Sequence, residues 1–166
     1  EAGLFTTVTL SAAFGCPYEG EVTLARLEWV LDQLADQWPD EVALADSIGV
    51  AVPTDVRERV GLVTGIAPHV ALRCHFHNTR NTGLANVAAA VEAGVSAIDA
   101  SLGGVGGCPF APNATGNVPT EDVAYLLQRM GYDTGVDLDV LSQSVGWLEE
   151  TLGHPVPGLL SKAGVF

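Results

Sequence analysis

The sequence predicts an α/β fold with a parallel sheet, read as a (β/α)8 TIM barrel of which this chain supplies the last four βα units plus C-terminal helices. Three observations carry that expectation. Short apolar strands alternate with amphipathic helices along all 166 residues, which is the pattern of serial βα units. No G-x-G-x-x-G follows the first strand, which weakens an open dinucleotide-binding sheet. Polar residues instead gather just after every strand, at Ser11, Asp46, His77 with Asn78, and Ser101, the end where barrels build their sites.

The elements follow in order. Leu4 to Leu10 is rich in β-branched residues and reads as a strand. After a loop from Phe14 to Gly20, the residues Leu24, Leu27, Val30, Leu31, Leu34 and Trp38 recur at helical spacing. Glu41 to Ala45 is a second strand, and Pro53-Thr54-Asp55 opens a helix with early negative charge. Val70 to Phe76 is the third strand, followed by an alanine-rich helix that ends near Gly94. Val95 to Ala100 is the fourth strand, and Pro119-Thr120-Glu121-Asp122 caps the next helix. A last helix is expected from Asp137 to Thr151. Residues 1–152 are therefore assigned to the half-barrel and 153–166 to a Pro/Gly-rich tail. An opening at Glu1 without methionine, in what reads as the middle of a strand, is expected of a fragment.

Composition bounds the partners. Seven Lys+Arg against twenty Asp+Glu give a net charge of −13, which argues against nonspecific nucleic-acid binding and against an anionic membrane surface. No apolar run approaches the roughly 18 residues of a membrane-spanning helix. Three cysteines without a C-x-x-C fit a reducing cytoplasm better than a disulfide scaffold.

The residues with chemical potential cluster in two segments. His75 and His77 are two apart on a strand, so both side chains leave one face. Imidazoles about 6–7 Å apart can meet one cation; the plain alternative is a polar strand end. Asn117 can add a neutral oxygen, and two nitrogens with oxygens favour Mg²⁺ or Mn²⁺ over tetrahedral Zn²⁺. The second segment, Gly103 to Asn117, holds Cys108 in a glycine-dense loop able to fold over a ligand. Cys108 can act as a proton donor or a nucleophile. Cys16 sits in a similar string, Gly15-Cys16-Pro17-Tyr18, and the residues alone do not choose between the two. Cys74 faces the helix layer and is expected in the core. Asp46 is expected to point into the barrel mouth, with a turn-starting role as the alternative. Glu41 and Arg73 are expected to face inward as an ion pair, and His69 and His154 to be packing or surface residues.

Five strings, Phe14-Gly15-Cys16-Pro17-Tyr18-Glu19-Gly20, Asp46-Ser47-Ile48-Gly49-Val50, His75-Phe76-His77-Asn78-Thr79, Gly106-Gly107-Cys108-Pro109-Phe110-Ala111 and Ala114-Thr115-Gly116-Asn117-Val118-Pro119, closely resemble 3-hydroxy-3-methylglutaryl-CoA lyases. The resemblance runs over nearly the whole chain. It implies a divalent-metal-dependent barrel cleaving an acyl-CoA by retro-Claisen chemistry, to acetyl-CoA and acetoacetate. It further implies His75, His77 and Asn117 as metal ligands, Cys108 and Asp46 as catalytic residues, and Asn78, Gly106 and Gly107 as substrate-binding. An acyl-CoA substrate and a homodimer of the full-length protein are the partners expected, in the cytoplasm. The sequence departs from the family pattern at Asn78-Thr79-Arg80-Asn81, where Asp-Thr-Tyr-Gly is usual, and at Ala43, where serine is usual. A first-strand aspartate ligand and its neighbouring arginine belong to a half of the barrel outside this chain. Two alternatives stand beside this expectation: a condensing synthase of the isopropylmalate or citramalate type, and a half-barrel that serves only in assembly.

Overall fold

Four strands form one parallel sheet: β1 (Thr7–Leu10), β4 (Glu41–Asp46), β5 (Ala71–Phe76) and β6 (Ala97–Asp99), side by side in that order. This computed structural model describes residues 3–107 and 116–166. Between β1 and α1 (Leu24–Asp32), the expected loop folds into a small antiparallel hairpin, β2 (Gly15–Cys16) with β3 (Gly20–Glu21). The other helices are α2 (Pro53–Ile66), α3 (Gly83–Glu92), α4 (Thr120–Arg129), α5 (Leu138–Leu152) and α6 (Leu160–Ala163).

Local chemistry accounts for the helix boundaries. The Thr23 hydroxyl accepts from Arg26 N at the start of α1, and the Asp55 carboxylate reaches back to Val52 N at 3.1 Å at the start of α2. Asp137 caps α5 through Asp139 N and Val140 N, and Gly153 ends it at φ +73°, a left-handed turn that glycine adopts without strain. The expected Pro/Gly-rich tail is more ordered than its composition implies. It carries α6, whose first N–H groups are received by the Asp122 carboxylate, and it buries Val156 and Leu160.

The strands sort their side chains by parity. Val42, Leu44, Leu72, Cys74 and Phe76 point to the helix layer and join Val56, Val60, Val63 and Val87 in one apolar core. Cys74 is fully buried there, as expected, and burial pushes its thiol up to about 12. Arg59, also buried, stacks on Phe14 and donates to Ala13 O at 3.0 Å and Val22 O at 2.7 Å. It thereby ties α2 to the loop after β1. The opposite face carries Thr7, Thr9, Glu41, Ala43, Arg73, His75, Ala97 and Asp99 in register. Among the described residues no helix is long and apolar enough to cross a membrane.

Candidate active site

His75 is the last inward side chain of β5, and His77 follows one step beyond the strand. Their rings lie 5.2 Å apart, centroid to centroid, inclined at 60°, so the same-face placement inferred from the H-x-H spacing holds. His77 pairs with Asn117 through an isolated antiparallel bridge. Val118 N donates to Phe76 O at 3.1 Å and Asn78 N to Gly116 O at 3.0 Å. The far end of the glycine loop is thus clipped to the strand that carries the histidines. Asn117 is therefore brought beside His77 by backbone hydrogen bonds, forty residues later in sequence.

The side chain of Asn117 is held from one side only. Its Nδ2 donates to Val105 O at 3.0 Å, while its Oδ1 is buried and has no hydrogen-bond partner among the described residues. An unpaired buried carbonyl oxygen costs roughly 1–3 kcal/mol, and on a residue bridged to His77 such an oxygen suits a cation ligand. Among the described residues no three His, Cys, Asp or Glu side chains converge on one point. An amide would complete such a set, as the neutral oxygen donor that suits a hard divalent ion. Two imidazole nitrogens and one amide oxygen thus fit the group that the sequence implied.

Glycine is required where the loop folds back. Gly104 takes φ +74°, with Pro119 Cγ 2.9 Å from where a Cβ would stand, and Gly106 takes φ +109°, with Asn117 Nδ2 at 2.8 Å. Gly106 and Gly107 lie at this rim; Cys108, the expected proton donor, falls outside the described residues.

Asp46 is placed differently from the expectation. Asp46 is fully buried, in register with Phe76 and hence on the helix-facing side of the sheet. Its Oδ1 accepts from Val50 N at 2.9 Å and its Oδ2 from Ala51 N at 3.0 Å. It does not point into the mouth, because the strand alternates and Asp46 has the parity of Leu44, not of Glu41. Burial raises its carboxyl above the usual range, opposed by the backbone N–H groups and by the charge of His77. Asn78 Oδ1 accepts from Gly83 N at 3.0 Å, so its side chain serves the start of α3.

Below the histidines, Arg73 pairs with Glu41 as expected: Nε to Oε1 is 2.8 Å. That hydrogen bond, against a smaller burial effect, holds the Glu41 carboxyl below its usual value. The residue that sequence reasoning missed is Asp99. Its Oδ1 takes Arg73 Nη1 at 2.6 Å and its Oδ2 lies 3.5 Å from His75 Nδ1. Burial, then the neighbouring His77, lowers the pKa of His75, and Asp99 opposes that shift. The net lowering favours the neutral ring. Its signal in sequence was an acidic side chain in an otherwise apolar strand. His69 and His154 lie away from the site: His69 packs edge-on against Trp38 at 6.3 Å, and His154 Nδ1 lies 3.0 Å from Pro155 O.

A cleft of about 340 Å³ opens beside the bridge, lined by Asn78, Gly116, Asn117, Pro119 and Pro157 among others. A larger hollow of about 420 Å³ lies between β6 and α4 and includes none of the site residues.

Comparison with known proteins decides the family. A family model described as HMGL-like matches residues 3–145. The chain belongs to the HMGL-like family. It is similar to (R)-citramalyl-CoA lyase of Chloroflexus aurantiacus, at 45% identity over 98% of this chain and 51% of that protein. It is also similar to a hydroxymethylglutaryl-CoA lyase of Bacillus subtilis, at 39% identity over 95% and 52%. Among solved structures, an HMG-CoA lyase from Acinetobacter baumannii in complex with coenzyme A and 3-methylmalate superposes with a TM-score of 0.88 at 41% identity, covering 95% of this chain and 52% of that one. The Bacillus subtilis HMG-CoA lyase follows at TM-score 0.85 and 36% identity, covering 98% and 54%. The chain spans about half the length of the curated relatives it matches, and its four-stranded sheet is part of the HMGL-like barrel.

Proposed function

We propose that the chain contributes the metal-binding end of a carbon–carbon lyase acting on a 3-hydroxyacyl-CoA thioester, by retro-Claisen cleavage. The observation that carries this reading is the Oδ1 of Asn117, buried and without a hydrogen-bond partner among the described residues, on a residue bridged to His77, whose ring meets that of His75 edge-on at 5.2 Å. Family membership and the lyase relatives support the same chemistry.

His75, His77 and Asn117 would hold a divalent cation, Mg²⁺ or Mn²⁺. When bound, such an ion stabilises negative charge that develops on a substrate hydroxyl oxygen. A general base takes the C3 hydroxyl proton, the C2–C3 bond breaks, and its electrons pass to the thioester enolate. Cys108 Sγ–H then gives its proton to C2, yielding acetyl-CoA. Gly106 and Gly107 leave room for the acyl chain at the loop rim. Asp46 acts from behind, holding the Val50–Ala51 turn and placing negative charge near His77. Asn78 acts through its backbone clip to Gly116 and its hold on α3.

The substrate is 3-hydroxy-3-methylglutaryl-CoA or a shorter relative such as citramalyl-CoA; the second is favoured by the 45% identity to a citramalyl-CoA lyase. The products separate the two, because cleavage releases acetoacetate from the first and pyruvate from the second. The test supplies each thioester with Mg²⁺ to the intact gene product and assays both ketoacids. One of them should appear, and cleavage should collapse in Cys108→Ala. Undiminished cleavage in that variant removes the cysteine from the mechanism, and condensation of acetyl-CoA with a 2-oxo acid in place of cleavage replaces the lyase reading by a synthase.

A further inference from the structure

One polar chain runs across all four strands of the parallel sheet, from β1 to β6. Thr7 Oγ1 donates to Glu41 Oε1 at 2.9 Å. The same oxygen accepts from Arg73 Nε at 2.8 Å, and Arg73 Nη1 donates to Asp99 Oδ1 at 2.6 Å. The chain ends at His75, whose Nδ1 is 3.5 Å from Asp99 Oδ2. Asp99 and His75 stand directly opposite each other in the β5–β6 register, so the backbone itself sets this approach. The last step is at the outer edge of hydrogen-bond range.

A neutral imidazole carries one N–H, and only the other nitrogen can ligate. An ionised carboxylate accepts and never donates, so Asp99 beside Nδ1 selects the Nδ1–H form and leaves the Nε2 lone pair open. Arg73 matters because it fixes which Asp99 oxygen faces which partner. With Oδ1 gripped by the guanidinium, Oδ2 is the one left for the ring. We propose that Asp99, clamped by Arg73, is a positioning residue that locks the tautomer and orientation of His75 so that Nε2 meets the cation. The proposal rests on the metal-centre reading above, and it adds a carboxylate behind the histidine to that reading.

The clamp makes a specific prediction for Asp99→Asn. Arg73 would hold the amide oxygen, which turns the NH₂ group toward His75 and demands an acceptor at Nδ1. The ring would then carry its proton on Nε2, the form that cannot ligate through that atom.

The test uses the intact gene product with ¹⁵N-labelled histidine, read first without metal and then by Mn²⁺ titration. In the wild type, His75 should be protonated on Nδ1. Asp99→Asn should move the proton to Nε2 and weaken Mn²⁺ binding by about 10–100-fold, and Asp99→Glu should restore part of both. An Nε2–H tautomer in the wild type overturns the proposal without any variant. So does an Asp99→Asn protein that keeps the Nδ1–H form and binds Mn²⁺ within twofold of the wild type. Absence of thioester cleavage alongside an Nδ1–H ring and tight Mn²⁺ binding supports Asp99 and sinks only the lyase reading.

Discussion

The two faces of the parallel sheet are made by the same strands and have opposite chemistry. Leu44, Cys74 and Phe76 face the helices and are fully buried; Glu41, Arg73, His75 and Asp99 face the other way and form a continuous polar chain. Neighbours in sequence such as His75 and Phe76 therefore do different work. The apolar face sets stability by packing, while the polar face sets geometry and charge where a cation and substrate would sit. The polar face depends on the packed one, since register alone places Asp99 opposite His75.

The largest expected effect breaks the packed face. Phe76→Ala removes a fully buried ring that packs against Phe14 at 6.0 Å and should cost about 3–5 kcal/mol of stability, measured by urea unfolding. Next comes the polar face: His77→Ala should lower Mn²⁺ affinity at least roughly 100-fold, about 2.7 kcal/mol, with little change in the unfolding midpoint. If His77→Ala destabilises the fold as much as Phe76→Ala, the division between the faces fails.

Smaller effects concern two carboxylates whose pKa values are shifted in opposite directions. Glu41→Gln takes one partner from Arg73, whose side chain is a third exposed and keeps Asp99, so the cost should be roughly 1–2 kcal/mol, below that of a fully buried pair. Because Arg73 lowers the folded-state pKa of Glu41, its contribution is present above the ordinary value of 4.5 and lost as pH falls through the lowered one. Glu121 is the reverse case. It is fully buried beside Gly103, accepting from Gly103 N at 3.0 Å, and burial raises its pKa. The folded state therefore holds that proton more firmly, and stability declines as pH rises from 4.5 through the raised value. Glu121→Gln should flatten this decline, by less than about 1 kcal/mol if Gln keeps the hydrogen bond; midpoints measured across the acid-to-neutral range check both signs.

Much of this contrast was legible in sequence. The β-branched runs and capping residues gave the order of strands and helices, and the H-x-H spacing placed two imidazoles on one face. Glu41 and Arg73 were paired correctly, because both fall on the inward parity of adjacent strands. Counting that same parity from Glu41 puts Asp46 on the outer face, yet its position at the strand end suggested the mouth. Asp99 was missed because a lone acidic residue in a short strand has no meaning until the register sets it against His75. The β2–β3 hairpin and α6 escaped because tertiary partners, Arg59 and Asp122, hold segments too short to signal themselves.

The central claim is that His75, His77 and Asn117 form one cation site, and Mn²⁺ binding followed by electron paramagnetic resonance tests it most directly. The intact gene product should bind the ion, and Asn117→Ala should weaken that binding at least about tenfold at an unchanged unfolding midpoint. Equal affinity in the wild type and Asn117→Ala would contradict the account.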